Sequence, residues 1–166
     1  MINKVFIGYD TREDDAYNVC KWTLKKTLGK FPIDIIALRQ DVLRDVGLYS
    51  RDEAISDYTN QRFDVVDGRP FSTDFSFTRF LVPFLCPRGW SLFVDGDFMF
   101  RSSILELLPI LDPKYAVMVV KHDYKPISTT KMDGKVQEKY NRKNWSSFVL
   151  WNHDHISNKK LSIADV

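Results

Sequence analysis

Four short, almost continuously apolar runs constrain this chain more than any other feature: "KVFIG" at 4–8, "SLFV" at 91–94, "YAVMVV" at 115–120 and "SFVLW" at 147–151, each bounded by polar or turn residues. A strand that is apolar at successive positions has both faces in contact with protein, so it belongs to a sheet covered on two sides rather than one washed by water. The intervening segments supply the cover. In "DDAYNVCKWTLKKTL", residues Ala16, Val19, Cys20, Thr23, Leu24, Thr27 and Leu28 recur at helical spacing, and Gly29 and Pro32 end that helix. "IDIIAL" at 33–38 reads as a further strand. "FSTDFSFTRFLVPFL" reads as a helix capped by Ser72 or Thr73 with Phe77, Phe80, Leu81, Phe84 and Leu85 on one face, and "SSILELLPIL" as a short helix. Strands and helices taking turns predict an α/β fold, a mixed, mostly parallel sheet with helices on both faces.

Other classes are excluded by composition. A chain of 166 residues, 44% hydrophobic and 14% aromatic, has the material for a packed core, and without repeats or a linker it is expected to form one domain over 1–166. The net charge of +2 is dispersed apart from "KYNRK" at 139–143, which is no nucleic-acid footprint. Cys20 and Cys86 lie far apart in apolar contexts, as expected of buried thiols in a reducing compartment. No signal-peptide pattern or membrane-length apolar run occurs, so a cytoplasmic location and no transmembrane segment are expected. The polar stretch at 123–142 reads as a long functional loop.

Against this background "LFVDGDFMF" at 92–100 stands out, because two carboxylates one glycine apart close a core strand. In open α/β sheets ligands bind beyond the carboxyl ends of the strands, which is where Asp95 and Asp97 fall. Two neighbouring carboxylates repel each other unless a cation lies beside them. All-oxygen donors without a nearby His or Cys favour Mg2+ or Mn2+, whose shells are completed by water and phosphate oxygens. Gly96 permits a tight turn and close approach of a ligand. A plain polar strand end with a glycine turn is the alternative that the tripeptide leaves open.

The blocks "VFIGYD", "FTRFLVPFLCPRGWSLFVDGDFMF", "YAVMVVKHDY" and "KNWSSFVLWN", in this order, resemble the nucleotide-sugar-dependent glycosyltransferases of the GT-A type, in particular family 8, the glycogenin-like and bacterial galactosyltransferase-like group. The resemblance implies a GT-A, Rossmann-like domain. It also implies metal-dependent hexosyl transfer from a nucleotide-sugar, with a UDP-sugar favoured, to a saccharide or other hydroxyl acceptor, with retention of configuration. Gly8, Tyr9 and Asp10 match the place where that family holds the base and ribose of the donor. Arg79 matches an arginine that reaches the donor, although a helical wheel sets it opposite Phe77, Leu81 and Phe84, on the solvent side.

In the same resemblance Asp95 and Asp97 hold Mn2+ or Mg2+, Asp95 also near the ribose. His122 and Asp123 stand where relatives contact the transferred sugar, with Asp123 the candidate catalytic residue. Trp145 replaces the family's usual Asn and Ser147 its usual Gly, which leaves Asn144 or Ser146 as substitutes and Trp145 as a platform for a sugar ring. The family's C-terminal metal-binding histidine segment has no match, and His153 and His155 read as surface residues. The 166 residues are therefore expected to be the donor-binding part of a longer enzyme. Two other readings remain at this point: a non-catalytic nucleotide-sugar- or carbohydrate-binding remnant, and a haloacid-dehalogenase-like phosphatase, in which DxD normally closes the first strand.

Overall fold

A computed structural model describes residues 1–122 and 145–166. In chain order they form β1 (Ile2–Gly8), a 3-10 turn (Thr11–Glu13), α1 (Asp14–Leu28), β2 (Asp34–Leu38), α2 (Gln40–Asp45) and three short strands, β3 (Glu53–Ile55), β4 (Arg62–Asp64) and β5 (Pro70–Phe71). A 3-10 helix (Thr78–Phe84), β6 (Trp90–Val94), a second 3-10 helix (Ile104–Ile110), β7 (Val117–Val119), a 3-10 turn (Trp145–Ser147), β8 (Phe148–Asn152), α3 (Ile156–Lys159) and a last 3-10 turn (Ile163–Asp165) follow. The main sheet has the order β2-β1-β6-β8-β7. β1 runs parallel to β2 and β6, and β8 runs antiparallel to both β6 and β7, so β8 alone points the other way. This is the expected mixed, mostly parallel α/β sheet.

Alternation along the central strands distributes the core between the two faces. Val5, Ile7, Leu92, Val94 and Leu150 pack with Tyr17, Cys20, Leu24 and Leu28 of α1 and with Ile104. Phe6, Phe93, Val149 and Trp151 turn the other way, onto Leu38, Leu43, Phe75, Leu81 and Val82. β1 and β6 thus have protein on both sides, which is why they are apolar at successive positions. Helix α1 ends where expected, at Gly29, whose positive φ of 62° suits glycine and whose N–H reaches Lys25 O. Val19, expected on its inner face, is exposed. Both cysteines are buried free thiols.

Three segments depart from expectation. Residues 71–85 do not form one α-helix: a turn precedes the 3-10 helix Thr78–Phe84, which contains Pro83. Pro83 has no N–H to close an α-turn onto Arg79, and three residues per turn redistribute the faces. Thr78, Arg79, Leu81 and Val82 are consequently all buried, so the solvent-facing arginine of the helical wheel is overturned. In "YAVMVVKH" only Val117–Val119 are strand, and all three are half-buried. Among the described residues β7 pairs with β8 alone, at the sheet edge. Finally, β3, β4 and β5 form a separate antiparallel sheet in a region where the sequence offered no clear period.

Ion pairs bind that small sheet to its surroundings. Arg51 donates Nε to Asp64 Oδ1 at 2.7 Å and Nη2 to Asp64 Oδ2 at 2.6 Å, and Arg62 Nη2 donates to Glu53 Oε2 at 2.7 Å. Arg51 hydrogen bonding, outweighing burial, holds the Asp64 carboxyl below its ordinary 3.8. A depressed native pKa contributes stability above the unfolded value that disappears as pH falls through the native one. Asp64→Asn is therefore expected to destabilise the protein by about 2–3 kcal/mol at pH 7. In urea titrations the gap to wild type should shrink as the pH is lowered below about 4; a pH-independent gap would point to packing instead.

Candidate functional site

The sheet order places a switch point between β1 and β6, since the chain leaves β1 for β2 on one side and later returns as β6 on the other. Crevices at such points, beyond the carboxyl ends of the strands, are where α/β sheets take ligands. Here the two strand ends approach closely. A Cβ on Gly96 would stand 2.6 Å from the Gly8 carbonyl oxygen, and one on Gly8 would stand 2.6 Å from the Phe75 ring. Neither position admits a side chain without moving backbone or a buried ring. Gly96→Ala is expected to lower stability by about 1–3 kcal/mol, read by chemical denaturation.

A cleft of about 530 Å³ opens at this point, lined among others by Asp95, Asp97, Arg79, Glu13, Phe80, Trp145, Ser146 and Ser147. That volume suits a small-molecule ligand. Asp95 follows β6 directly, and its backbone N–H donates to Ser147 O at 3.0 Å, which ties the carboxylate turn to the residues entering β8. Asp97 is exposed at the rim. Arg79, only 8% exposed, lies over the Phe75 and Phe93 rings, with Cζ 5.3 and 5.2 Å from their centroids. It donates Nε to Phe75 O at 3.0 Å and Nη1 to Ser146 O and Oγ at 2.9 and 3.2 Å.

Arg79 Nη1 also lies 2.9 Å from Asp95 Oδ1. Because Nη1 donates to Ser146, this contact is an ion pair rather than an aligned hydrogen bond, and Asp95 Oδ1 is a buried oxygen without a hydrogen-bond partner among the described residues. Burial pushes the Asp95 carboxyl up to about 6 despite the Arg79 cation, with the negative charges of Asp97 and Glu13 adding to the rise. The turn thus holds one carboxylate that is costly to ionise next to a second at the rim. This is an environment in which a divalent cation would be favourable. Among the described residues no three His, Cys, Asp or Glu side chains converge to hold a metal ion. Mg2+-like ions bind through one or two carboxylates and complete their shells with water and phosphate oxygens, so Asp95 and Asp97 fit that requirement.

The remaining sequence candidates divide. Gly8 is buried at the crevice floor. Asp10, 1% exposed, caps the turn Thr11–Glu13: its carboxylate accepts from Arg12 N and Nε at 3.0 and 2.9 Å and from Asp74 N at 3.2 Å. Those bonds outweigh burial and keep its pKa below 3.8. Its oxygens brace the 72–74 segment against the end of β1. Tyr9 lines a separate pocket of about 260 Å³ with Thr11, Gln40 and Arg44; its hydroxyl donates to Asp14 Oδ1 at 2.9 Å and Arg39 lies 4.9 Å from its ring. His122 is half-buried and outside the lining of both pockets. Asp123 and Asn144 lie outside the described residues.

His153 is not on the surface: it is buried, 2.7 Å from Ser91 Oγ and 3.3 Å from Pro83 O, while His155 caps α3 by accepting from Ser157 N. Glu13, which no motif in the sequence marks, lines the cleft, and burial followed by the charges of Asp10 and Asp97 raises its pKa. Its one local signal is an acid at the entry to α1. Phe80 was read as core, yet it also forms a cleft wall.

No family model matches the chain. A curated relative, Protein CDI of Arabidopsis thaliana, is 47% identical over 160 residues, covering 96% of this chain and 56% of the relative, so the chain spans little more than half the length of the curated relative it matches. Among solved structures, the apo structure of the WbbM bifunctional glycosyltransferase matches 95% of this chain and 32% of its own with a TM-score of 0.56 at 14% identity. At that identity the likeness concerns the fold, which is glycosyltransferase-like. No helix among the described residues is long and apolar enough to cross a membrane.

Proposed function

We propose that the chain is the donor-binding part of a GT-A type, family 8-like glycosyltransferase. It moves a hexose from a nucleotide-sugar, with UDP-sugars foremost, to a saccharide or other hydroxyl acceptor. The observation that carries this reading is the placement of Asp95-Gly96-Asp97 at the switch point of a glycosyltransferase-like sheet, with both carboxylates lining an open cleft and Asp95 ion-paired to Arg79. Asp95 and Asp97 would hold Mn2+ or Mg2+. Such an ion, when bound, supplies positive charge to the leaving nucleoside diphosphate.

The chain's own residues prepare that chemistry. Gly8 and Gly96 let the ends of β1 and β6 and the Phe75 ring approach closely, which sets the carboxylate turn beside the cleft. Arg79 places positive charge beside Asp95 and anchors Ser146, joining the carboxylate turn to the residues that enter β8. In the reaction the bond from the anomeric carbon to the diphosphate oxygen breaks, the acceptor oxygen bonds to the same carbon, and its proton passes to the departing phosphate. Retention of configuration is what the family 8 resemblance implies, and the proposed route is a front-face path stabilised mainly by neutralising charge on the leaving group.

Calorimetry with UDP in the presence and absence of Mn2+, paired with a turnover assay on UDP-hexoses, tests the proposal. Wild type should bind UDP at least tenfold more tightly with Mn2+, and Asp97→Ala, an exposed substitution, should abolish that increment and cut turnover by about 100-fold. Metal-independent turnover that survives the substitution would sink the assignment. Binding without turnover would instead mark a binding-only protein.

A further inference from the structure

The cleft that holds Asp95 and Asp97 is also lined by two aromatic residues, Phe80 and Trp145. Trp145 is 36% exposed, and its ring lies 6.2 Å from that of Phe80 at an interplanar angle of 44°. Both residues line the same cleft as Asp95 and Asp97. An indole left partly open to water beside a phenyl ring gains less from burial than a core aromatic does, and its neighbours in the chain are well anchored. Ser146, the next residue, is bound through its carbonyl and its hydroxyl by the buried Arg79, and Ser147 O accepts the Asp95 backbone N–H. The two residues that follow Trp145 are therefore tied to Arg79 and to the carboxylate turn, while its indole packs beside Phe80. A rigid aromatic surface presented at low conformational cost is suited to stacking a flat ligand face.

We infer that Phe80 and Trp145 form a saccharide-stacking wall, held in register by Arg79 and Ser146, that takes a pyranose ring of the transferred hexose or of the acceptor. One face of a pyranose carries C–H bonds that pack on an aromatic ring, while its rim carries hydroxyls. The hydroxyls of Ser146 and Ser147 and the carboxylates of the turn line the same cleft as the rings, which matches that split between apolar face and polar rim. Tyr9 lies in the other pocket, so a nucleobase stacked there would not compete for this wall. The naming of the hexose or acceptor rests on the glycosyl-transfer reading; the wall itself does not.

Wild type, Trp145→Ala, Trp145→Phe and Phe80→Ala are compared by calorimetry in Mn2+, with thermal melts confirming that each variant is folded. The ligands are UDP, UDP-glucose, UDP-galactose and UDP-N-acetylglucosamine, together with maltose, lactose and cellobiose. UDP affinity should stay within twofold throughout. At least one sugar-bearing ligand that binds wild type should lose about five- to tenfold in Trp145→Ala and Phe80→Ala, and largely recover in Trp145→Phe. Loss confined to a UDP-hexose places the transferred sugar on the wall, and loss confined to a disaccharide places the acceptor there. The inference is overturned if sugar-bearing ligands are unaffected, if UDP itself weakens equally so that the base is what stacks, or if no sugar-bearing ligand binds wild type. Should UDP fail to bind wild type, the donor reading falls and the disaccharides alone decide the wall.

Discussion

The parallel pairing of β1 with β6 is the constraint on which the rest of this structure depends. Its register, Phe6 beside Phe93 with Val5 beside Leu92 and Ile7 beside Val94, sends alternate side chains into two separate cores and so requires cover on both faces. The same pairing brings Gly8 and Gly96 together at the strand ends, where an added methyl group on either would collide with its surroundings. The crevice and the core are therefore consequences of one register. A shift of one residue would exchange the two cores and move the carboxylates away from the floor of the cleft.

A buried cation organises the walls of that crevice. Arg79 packs against two phenyl rings, bonds the Phe75 carbonyl within its own segment, and reaches across to Ser146 and Asp95. Removing a charge of this kind from water is costly unless it is well paired, and its pairing joins the 75–84 segment, the end of β6 and the start of β8. Asp10 does comparable work on the opposite side, joining the end of β1 to Arg12 and Asp74. The cleft is thus bounded by segments distant in sequence and joined by charge-assisted contacts.

Much of the fold was legible because its signals are local. Strand β1, helix α1 with its glycine stop, β2, β6 and β8 all appear where apolar continuity or helical spacing marks them. The segment at 71–85 misled because the apolar spacing of an α-helix and that of a 3-10 helix diverge only after a turn or two, and Pro83 decides between them through a missing N–H. β3 to β5 escaped notice because their strands are two or three residues long and are held by arginine–carboxylate pairs, which leave no hydrophobic period to read. His153 looked superficial beside two polar neighbours, yet its ring packs against Ser91 and Pro83 of other elements.

By itself the sequence determined the α/β alternation, the carboxylate pair at a strand end and the glycine between them, because backbone propensity, side-chain period and turn chemistry act over a few residues. Only the tertiary structure decided which strand lies beside which, and hence that Asp95 would be half-buried against Arg79 while Asp97 stayed exposed. It also decided that Glu13, Phe80 and Trp145, far apart in the chain, would line one cleft. Long-range pairing and burial set those neighbours, and no local pattern carries that information.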